Sequence, residues 1–423
     1  MNNRKDLHSG KNRLKVLLMT AVLAAFVSSC VENNKIDNTY KRTVLVYIAA
    51  DNNLSNVAQN NIYSMTSSIR NENDNANLVA FVDRVDNAPA LLYIHNGVRD
   101  TLVKYEELDT TDPQVLHDVI DYVVEKFPSE SYGLVLWSHG TGWLPTSQLH
   151  FVAPNMNYAQ LRDGQTAYLS AADGVRDPFS ADMVADTKAF AWENRQGETP
   201  KYSCMDLDDL VSAIPDDGFD FIAFDACYMG CVEVIYALRH KADYIISSCY
   251  EVVNSGFPYH IITRDLLNGS LMKICREFHT YYNSLSGWER MAGISLVKTD
   301  ELDSLARCFG KIVAEYGEDI PKLDENGVQC FDRFSNHVFY DLEDLADKLN
   351  IKKEYLMELR LQLERVVPYK VSTAYIFPGD REQIKVDKYC GMSVYIPFEK
   401  YETGGLNADF RATEWSMATG YGQ

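Results

Sequence analysis

The chain has 423 residues, and 46% of them are apolar or aromatic, which is enough to bury a large core. Asp and Glu number 60 against 40 Lys and Arg, so the formal net charge is −20. Proteins that bind nucleic acid neutralise phosphates with clustered Lys and Arg. This acidic balance therefore argues against a nucleic-acid partner.

The N-terminus has the pattern of an export signal. A basic segment precedes an apolar stretch over 16–27 that is too short to span a bilayer comfortably. The stretch ends in Val27-Ser28-Ser29-Cys30, which resembles a bacterial lipobox. We predict a lipoprotein signal peptide over 1–29, a lipid on Cys30, a polar tether over 30–40, and anchoring to the outer membrane or cell surface of a bacterium. The alternative is a plain secretory signal cleaved near Ser29.

Buried strands alternate with helices from residue 41 to about 260, which predicts a domain built on a doubly wound, mostly parallel sheet flanked by helices. Asp112 can cap the second helix, with Pro113 in its first turn. The predicted strands are 43–50, 78–83, 132–137, 219–224 and 244–248, with an edge pair over 90–96 and 100–106. The predicted helices are 54–70, 114–127, 206–214 and 229–239.

Two parts of the chain depart from this alternation. The stretch 144–202 is polar and lacks periodicity, and a loop of that length is usually functional or mobile. Residues 261–423 predict an additional α+β region packed on the domain over 41–260. Its predicted helices are 271–285, 301–316, 341–349 and 355–367, and its predicted strands are 291–297 and 391–397.

His139 and Cys227 each lie just past the end of an apolar strand. In an open parallel sheet, reacting groups gather at the carboxyl ends of the strands, so these side chains can meet there as base and nucleophile. A helix predicted directly after Cys227 would lower the pKa of its thiol. Placement alone leaves open that His139 is structural and that Cys227 is a packed thiol.

Glycines follow the histidine. Gly140 and Gly142 allow the backbone to turn tightly, and the N–H groups of Gly140 and Cys227 are a candidate oxyanion hole for acyl transfer. No second His or Cys lies at metal-ligand spacing from His139, so no metal site is predicted. Cys231 is interpreted as a core residue.

Several stretches together resemble the clostripain family of cysteine peptidases, within the wider group of caspases, gingipains, legumains and separase. Among them, the paired His-Gly and Asp-Ala-Cys blocks are the most specific. The resemblance implies a caspase-like fold and a Cys227/His139 dyad. The stretches are TVLVYIAADNNL (43–54), DTTDPQVLHDVIDYVVEKFPSESYGLVLWSHGTGW (109–143), FDFIAFDACYMGCVEVIYAL (219–238), SGFPY (255–259) and GMSVYIP (391–397).

The resemblance also implies cleavage after Arg or Lys, with Asp225 in the S1 pocket, since a carboxylate pairs with a guanidinium or ammonium. The alternative role for Asp225 is a helix N-cap. Family members often carry S-E-x-x-P-G-x-G after the fifth strand, whereas this chain has SSCYEVVNSGFPY over 247–259. The wall of the S1 pocket is therefore expected to differ.

Family members mature by cutting themselves between the His and Cys blocks. We predict autocleavage within 144–202, with Lys188 and Arg195 as the leading positions among its basic residues. No dense calcium loop is present, so no cofactor is predicted, although part of the family depends on calcium. Two alternatives to an endopeptidase stay open: a catalytically silent peptide-binding lipoprotein of the same fold, and a thiol transpeptidase.

Overall fold

The computed structural model describes residues 40–69, 75–85, 87–152, 188–195, 201–379 and 383–423. The signal peptide and Cys30 lie outside these ranges. No helix in the described ranges is long and apolar enough to cross a membrane.

The helices are α1 (Ser55–Ser68), α2 (Pro113–Lys126), α3 (Leu149–Val152), α4 (Leu207–Ala213), α5 (Val232–Ala237), α6 (Tyr259–Asn268), α7 (Leu271–Ser284), α8 (Leu302–Tyr316), α9 (Leu342–Lys348), α10 (Lys353–Val366), α11 (Leu406–Arg411) and α12 (Glu414–Thr419).

Strands of different lengths lie before, between and after these helices. They are β1 (Tyr40–Ala50), β2 (Ala76–Arg84), β3 (Asn87–His95), β4 (Val98–Lys104), β5 (Ser129–Trp137), β6 (Gly140–Pro145), β7 (Lys188–Arg195), β8 (Lys201–Met205), β9 (Phe219–Asp225), β10 (Ala242–Ser247), β11 (Gly293–Lys298), β12 (Tyr340–Asp341), β13 (Tyr369–Ser372), β14 (Tyr375–Ile376), β15 (Ile384–Lys385) and β16 (Ser393–Val394).

Nine of the strands in the described ranges form one central sheet in the order β13-β11-β10-β9-β5-β1-β2-β3-β4. Its centre, β10-β9-β5-β1-β2, is parallel, and an antiparallel pair extends each side. Helices flank the sheet, so Val44–Ala50 of β1 is buried along its whole length. The predicted doubly wound α/β fold is confirmed.

The second helix starts as its sequence predicts. Asp112 accepts a hydrogen bond from the Gln114 backbone N–H at 2.9 Å, and Pro113 occupies the first turn. An acceptor at this position satisfies an N–H that has no partner inside the helix, and proline has no N–H to leave unsatisfied. The helix α2 is thereby fixed directly before β5, the strand that leads to His139.

The region after residue 261 contributes to the same sheet, because β11 pairs with β10 and β13 pairs with β11. The domain boundary near residue 260 stays a prediction. The predicted strand over 391–397 is wrong for most of its length. Only Ser393–Val394 is extended, and it pairs with Tyr340–Asp341 outside the central sheet.

The prediction of an irregular stretch over 144–202 is wrong at both of its ends. Gly140–Pro145 (β6), Lys188–Arg195 (β7) and Lys201–Met205 (β8) form a separate antiparallel sheet. The strand pairing satisfies backbone N–H and C=O groups of this stretch. Its polar sequence gave no indication that these groups would pair. Residues 153–187 and 196–200 lie outside the described ranges.

Candidate active site

Three neighbouring parallel strands deliver side chains to one edge of the central sheet. Asn53 follows β1, His139 follows β5, and Cys227 follows β9. The strand ends are in register, since Trp137 of β5 is opposite both Ile48 of β1 and Asp225 of β9. This is the carboxyl edge at which α/β proteins place their ligands and reacting groups.

Ser138 ties these three strand ends together. Its hydroxyl donates to the Ala49 carbonyl of β1 at 2.8 Å, and its backbone N–H donates to the Asp225 carbonyl of β9 at 3.4 Å. Ser138 itself follows β5 and is buried. One small residue therefore holds the backbones that precede His139 and Cys227 at a fixed separation.

Asn53 positions the imidazole of His139. The His139 Nε2 lies 2.7 Å from the Asn53 amide oxygen. An amide oxygen only accepts, so Nε2 carries the proton and Nδ1 is left as the basic nitrogen. Burial lowers the pKa of His139 from its ordinary 6.5 to about 4, which keeps the imidazole neutral.

Sequence reasoning missed Asn53. It stands in the quoted stretch TVLVYIAADNNL, directly after a buried strand. That is the same positional signal that identified His139 and Cys227, so it could have been found.

The sulfur of Cys227 contacts the backbone of Val252, whose N–H donates to Sγ at 3.3 Å. Burial, and next the charge of Glu251, raises the pKa of the Cys227 thiol to about 12. The expectation that a helix N-terminus directly follows Cys227 is wrong, because α5 begins only at Val232. A tight turn separates the thiol from the helix. The effect of a helix dipole falls off within the first turn of the helix, so the dipole of α5 does not lower the pKa of this thiol.

Tyr228, the residue after Cys227, has a left-handed backbone with φ of 61°. A bulky residue there costs about 1 to 3 kcal/mol, so surrounding contacts must hold it. Its ring stacks on Phe339 with the two ring centroids 4.6 Å apart, and it packs on Phe334 with the centroids 5.5 Å apart. Its hydroxyl donates to Glu251 at 3.1 Å, and Arg333 pairs with the same carboxylate at 3.4 Å.

Asp225 is the last residue of β9 and its carboxylate is buried beneath the site. It accepts from the Phe257 N–H at 3.0 and 2.9 Å and from the Tyr259 hydroxyl at 3.0 Å. Burial, partly offset by these hydrogen bonds, raises its pKa to about 7. The N-cap alternative is wrong, because the residue that caps α5 is Cys231.

Gly256 closes the wall beside that carboxylate. Its φ is 66°, and a Cβ at this position would lie 2.7 Å from the Asp225 Oδ2. Glycine is therefore required both by the backbone conformation and by the close approach. The stretch over 247–259 departs from the family pattern, yet its residues Gly256, Phe257 and Tyr259 still surround the carboxylate of Asp225.

Gly140 brings its backbone against that of the nucleophile. A Cβ added to Gly140 would lie 2.6 Å from the Cys227 carbonyl oxygen, so no other residue fits without a backbone shift. The two residues whose N–H groups form the predicted oxyanion hole are therefore adjacent. The proposed donation to an oxyanion stays a prediction.

A small cavity lies between the predicted catalytic side chains. Its volume is about 30 Å³, and His139, Cys227, Asp225 and Leu54 are among the residues that line it. This is room for roughly one or two water molecules and far too little for an arginine side chain. The structure thus brings the imidazole and the thiol to one cavity, but in a closed state.

Strand β7 lies directly beside the histidine. The Ala191 N–H donates to the His139 carbonyl at 3.3 Å, and Phe190 pairs with Gly140. Lys188 is the first residue of β7 and Arg195 is the last; their backbones pair with Pro145 and Lys201. Their side chains lie outside the described part of the structure, as do Arg162 and Arg176.

All eight cysteines in the described ranges have free thiols, and the predicted core residue Cys231 is fully buried. Within the same ranges, no group of three or more His, Cys, Asp and Glu side chains could hold a metal ion. His139 and Cys227 thus place an imidazole and a thiol at the carboxyl edge of a parallel sheet, the arrangement that a cysteine peptidase requires.

The model of the clostripain family matches residues 46–162 and 177–354, and the chain belongs to this family. Clostripain from Hathewaya histolytica is 26% identical over 472 residues, which cover 92% of this chain and 81% of that protein.

Two solved structures are similar over nearly their whole length. An inactive zymogen C11 protease from Parabacteroides distasonis is 29% identical, with 90% of this chain and 98% of that chain covered and a TM-score of 0.71. A secreted C11 cysteine protease from Bacteroides thetaiotaomicron, in complex with an irreversible peptide inhibitor, is 25% identical, with 90% and 99% covered and a TM-score of 0.69.

Proposed function

We propose that this peptidase is an endopeptidase that cuts after Arg or Lys, with Cys227 as nucleophile and His139 as acid and base. The supporting observation is that the thiol and the imidazole line one cavity at the edge of the sheet. The relationship to clostripain, and the peptide inhibitor bound to the relative from Bacteroides thetaiotaomicron, agree with a peptide substrate.

The chemistry follows from the orientation of the imidazole. With Nε2 held by Asn53, the His139 Nδ1 takes the thiol proton as the Cys227 sulfur bonds to the substrate carbonyl carbon. The oxyanion accepts from the Gly140 and Cys227 N–H groups. The amine leaves with the proton from His139, and water then hydrolyses the thioester to restore the thiol.

Asp225 gives this site its preference for cationic side chains. The Phe257 N–H and the Tyr259 hydroxyl orient its carboxylate, and a guanidinium or ammonium would favour its charged form. Asp225→Asn, which keeps the shape and removes the charge, is expected to lose roughly 100-fold in kcat/KM for Arg peptides. Equal loss for a peptide ending in an uncharged residue would show that Asp225 is only structural.

We further propose that the closed site is the uncut state of a zymogen. A thiol pKa of about 12 beside an imidazole pKa of about 4 disfavours the thiolate–imidazolium pair. Cutting within 144–202 would free β7 from its contact with His139 and admit water and substrate. Lys188 and Arg195 are the proposed positions because they mark the two ends of that strand.

Hydrolysis of fluorogenic peptides ending in Arg or Lys tests the activity. The wild-type chain is expected to cleave them after maturation and Cys227→Ala is not, whereas the matched control Cys204→Ala, another half-buried thiol, is expected to retain activity. A matured wild-type chain that binds these peptides without turnover would favour the silent binding protein. Transfer of the acyl group to an added amine instead of water would favour the transpeptidase.

Mass spectrometry of the matured chain tests autocleavage. Lys188→Ala and Arg195→Ala, alone and together, are expected to retain or delay the uncut form, and Cys227→Ala is expected to stay intact. Active enzyme that remains a single uncut chain contradicts the zymogen proposal.

We also propose that Cys30 carries a lipid that anchors the enzyme to the bacterial envelope. Cys30→Ser is expected to release the protein from membranes, while cleavage within 1–29 without lipid on the mature N-terminus would favour the plain secretory signal. No cofactor is proposed, and activity that is lost in chelator and restored by calcium would overturn that.

A further inference from the structure

A second cysteine, Cys330, lies beside a second histidine, far along the chain from the dyad. The segment that carries both is a short hairpin, in which Phe331 N–H donates to the Phe339 carbonyl at 2.9 Å and Asp341 N–H donates to the Gln329 carbonyl at 2.8 Å. Cys330 bridges to Tyr340 in the same ladder. The hairpin fixes the backbone on which the two side chains stand.

The loop of this hairpin is organised by Asp332, whose side chain is fully buried. Its carboxylate accepts from three backbone N–H groups, those of Phe334 at 3.0 Å, Val338 at 3.0 Å and Phe339 at 2.9 Å. It also lies 2.8 Å from the His337 Nδ1. These four donors satisfy both carboxylate oxygens and hold the imidazole of His337 against a buried acidic side chain.

Cys330 also reaches this loop, because its Sγ lies 3.7 Å from the Asp332 carbonyl oxygen, and its thiol is among the groups that raise the pKa of His337. Burial opposes a charge on the ring, but the interactions with Asp332 and Cys330 prevail and raise the pKa of His337 to about 11. The ring is therefore an imidazolium at neutral pH. An imidazolium beside a thiol stabilises the thiolate, which is the nucleophilic form.

The site is open to small molecules. Cys330 is partly exposed, as is His337, with 25% of its side chain accessible. The mechanism at Cys227 uses neither residue. Asp332 and its backbone donors are enough to close the turn, so the turn does not need a cysteine near the imidazole for its structure.

We propose that Cys330, His337 and Asp332 form a second reactive-thiol site, which takes low-molecular-weight disulfides and forms a mixed disulfide at Cys330. The Cys330 sulfur attacks one sulfur of the reagent, a protein–reagent S–S bond forms, and the reagent S–S bond breaks. The departing thiolate takes up the proton that Cys330 gave up, so one disulfide yields one mixed disulfide and one thiol.

The test uses the full chain carrying Cys227→Ala and the small neutral reagent 2-hydroxyethyl disulfide at pH 7, with peptide mapping to give a rate for each cysteine. Cys204 is the matched control, since it is also half-buried but burial raises the pKa of its thiol. We expect Cys330 to react about tenfold faster than Cys204, and His337→Gln to remove that advantage. A Cys330 rate no greater than that of Cys204, or no change in a folded His337→Gln chain, overturns the proposal.

If His337→Gln does not fold, as judged by circular dichroism, the comparison is made in the parent chain against free N-acetylcysteine. A faster reaction of Cys330 than of the free thiol supports the site, because partial burial alone can only slow the reaction. A slower reaction overturns it.

Discussion

The molecule holds two thiol–imidazole pairs that differ in the partner of the imidazole. At the edge of the sheet, His139 is held by the neutral amide of Asn53, and burial lowers its pKa to about 4. In the hairpin, His337 is held by the buried carboxylate of Asp332, and its pKa rises to about 11. The same ring is thus kept neutral in one place and charged in the other.

The difference teaches that the partner decides which role a histidine can fill. A neutral ring can accept the thiol proton, which a general base must do. A charged ring cannot accept that proton, but it stabilises a thiolate that is already formed. We therefore assign proton transfer in peptide cleavage to the first pair and the proposed formation of a mixed disulfide to the second.

Replacing the two thiols one at a time gives the largest expected effect on peptide hydrolysis. Cys227→Ala should lower peptide hydrolysis by roughly 10⁴-fold or more, because the covalent route is lost. Cys330→Ala should leave kcat/KM within about twofold of the wild type, because Cys330 does not line the cavity at the dyad. Assays on matured protein check both, and a large loss in Cys330→Ala would break the separation of the two sites.

Changing the partner of His139 is expected to have the next largest effect. Asn53→Ala should lower kcat by roughly 100-fold with little change in KM, because the ring is no longer held by a hydrogen bond at Nε2. Asn53→Asp should place a carboxylate beside the ring, as in the hairpin, and shift the acid limb of the pH–rate profile upward. An unshifted profile for Asn53→Asp would mean that Asn53 supports only the local fold.

Removing the charge of Asp332 tests the other partner. Asp332→Asn should lower the free energy of unfolding by about 3 kcal/mol, because it leaves the half-buried imidazole of His337 and a backbone N–H without an acceptor. Asp319→Asn, which breaks an exposed pair with Lys322, is the control and should change it by no more than about 0.5 kcal/mol. Urea titration measures both, and equal values would contradict the role given to Asp332.

The smallest expected effect is a pair of opposite pH slopes. The pKa of His337 is raised on folding, so its contribution to stability is complete below about pH 6.5 and is lost as the pH rises toward about 11. The pKa of His139 is lowered, so the folded state is penalised as the pH falls from about 6.5 to about 4.

Unfolding free energies of two variants read out these slopes. His337→Gln should be destabilised more at pH 6 than at pH 10. The free energy of unfolding of His139→Gln should rise relative to that of the uncut wild type as the pH falls from 6.5 toward 4. Slopes of the same sign for both variants would mean that the two rings share one protonation state.

The parallel core could be predicted because its strands are continuous apolar runs between helices. The run over Val44–Ala50 is buried on both faces, and only a strand covered by helices on both sides requires such a sequence. The extension of the sheet by β13 and the sheet of β6, β7 and β8 could not be predicted in this way. Their strands are short or polar, and distant pairing rather than local pattern makes them extended.

The juxtaposition of His139 and Cys227 could be predicted from position, because strand ends in register bring both residues to one edge. The start of α5 was missed because Cys227 to Cys231 carries helix-compatible residues, and the left-handed Tyr228 depends on stacking against Phe339, which is far away in the sequence. The hairpin pair was missed for a similar reason. Asp332 and His337 carry no strand-end signal, and only the folded loop brings them together.

Ser138 has a mechanical consequence for the enzyme. A twisted sheet flexes most where its strands splay at their ends, yet the hydroxyl and amide of this one residue clamp β1 and β9 to the end of β5. His139 and Cys227 should then move together during thermal fluctuations. The distance between them should stay nearly constant while the surrounding loops move. Ser138→Ala would loosen that clamp without touching either reacting group.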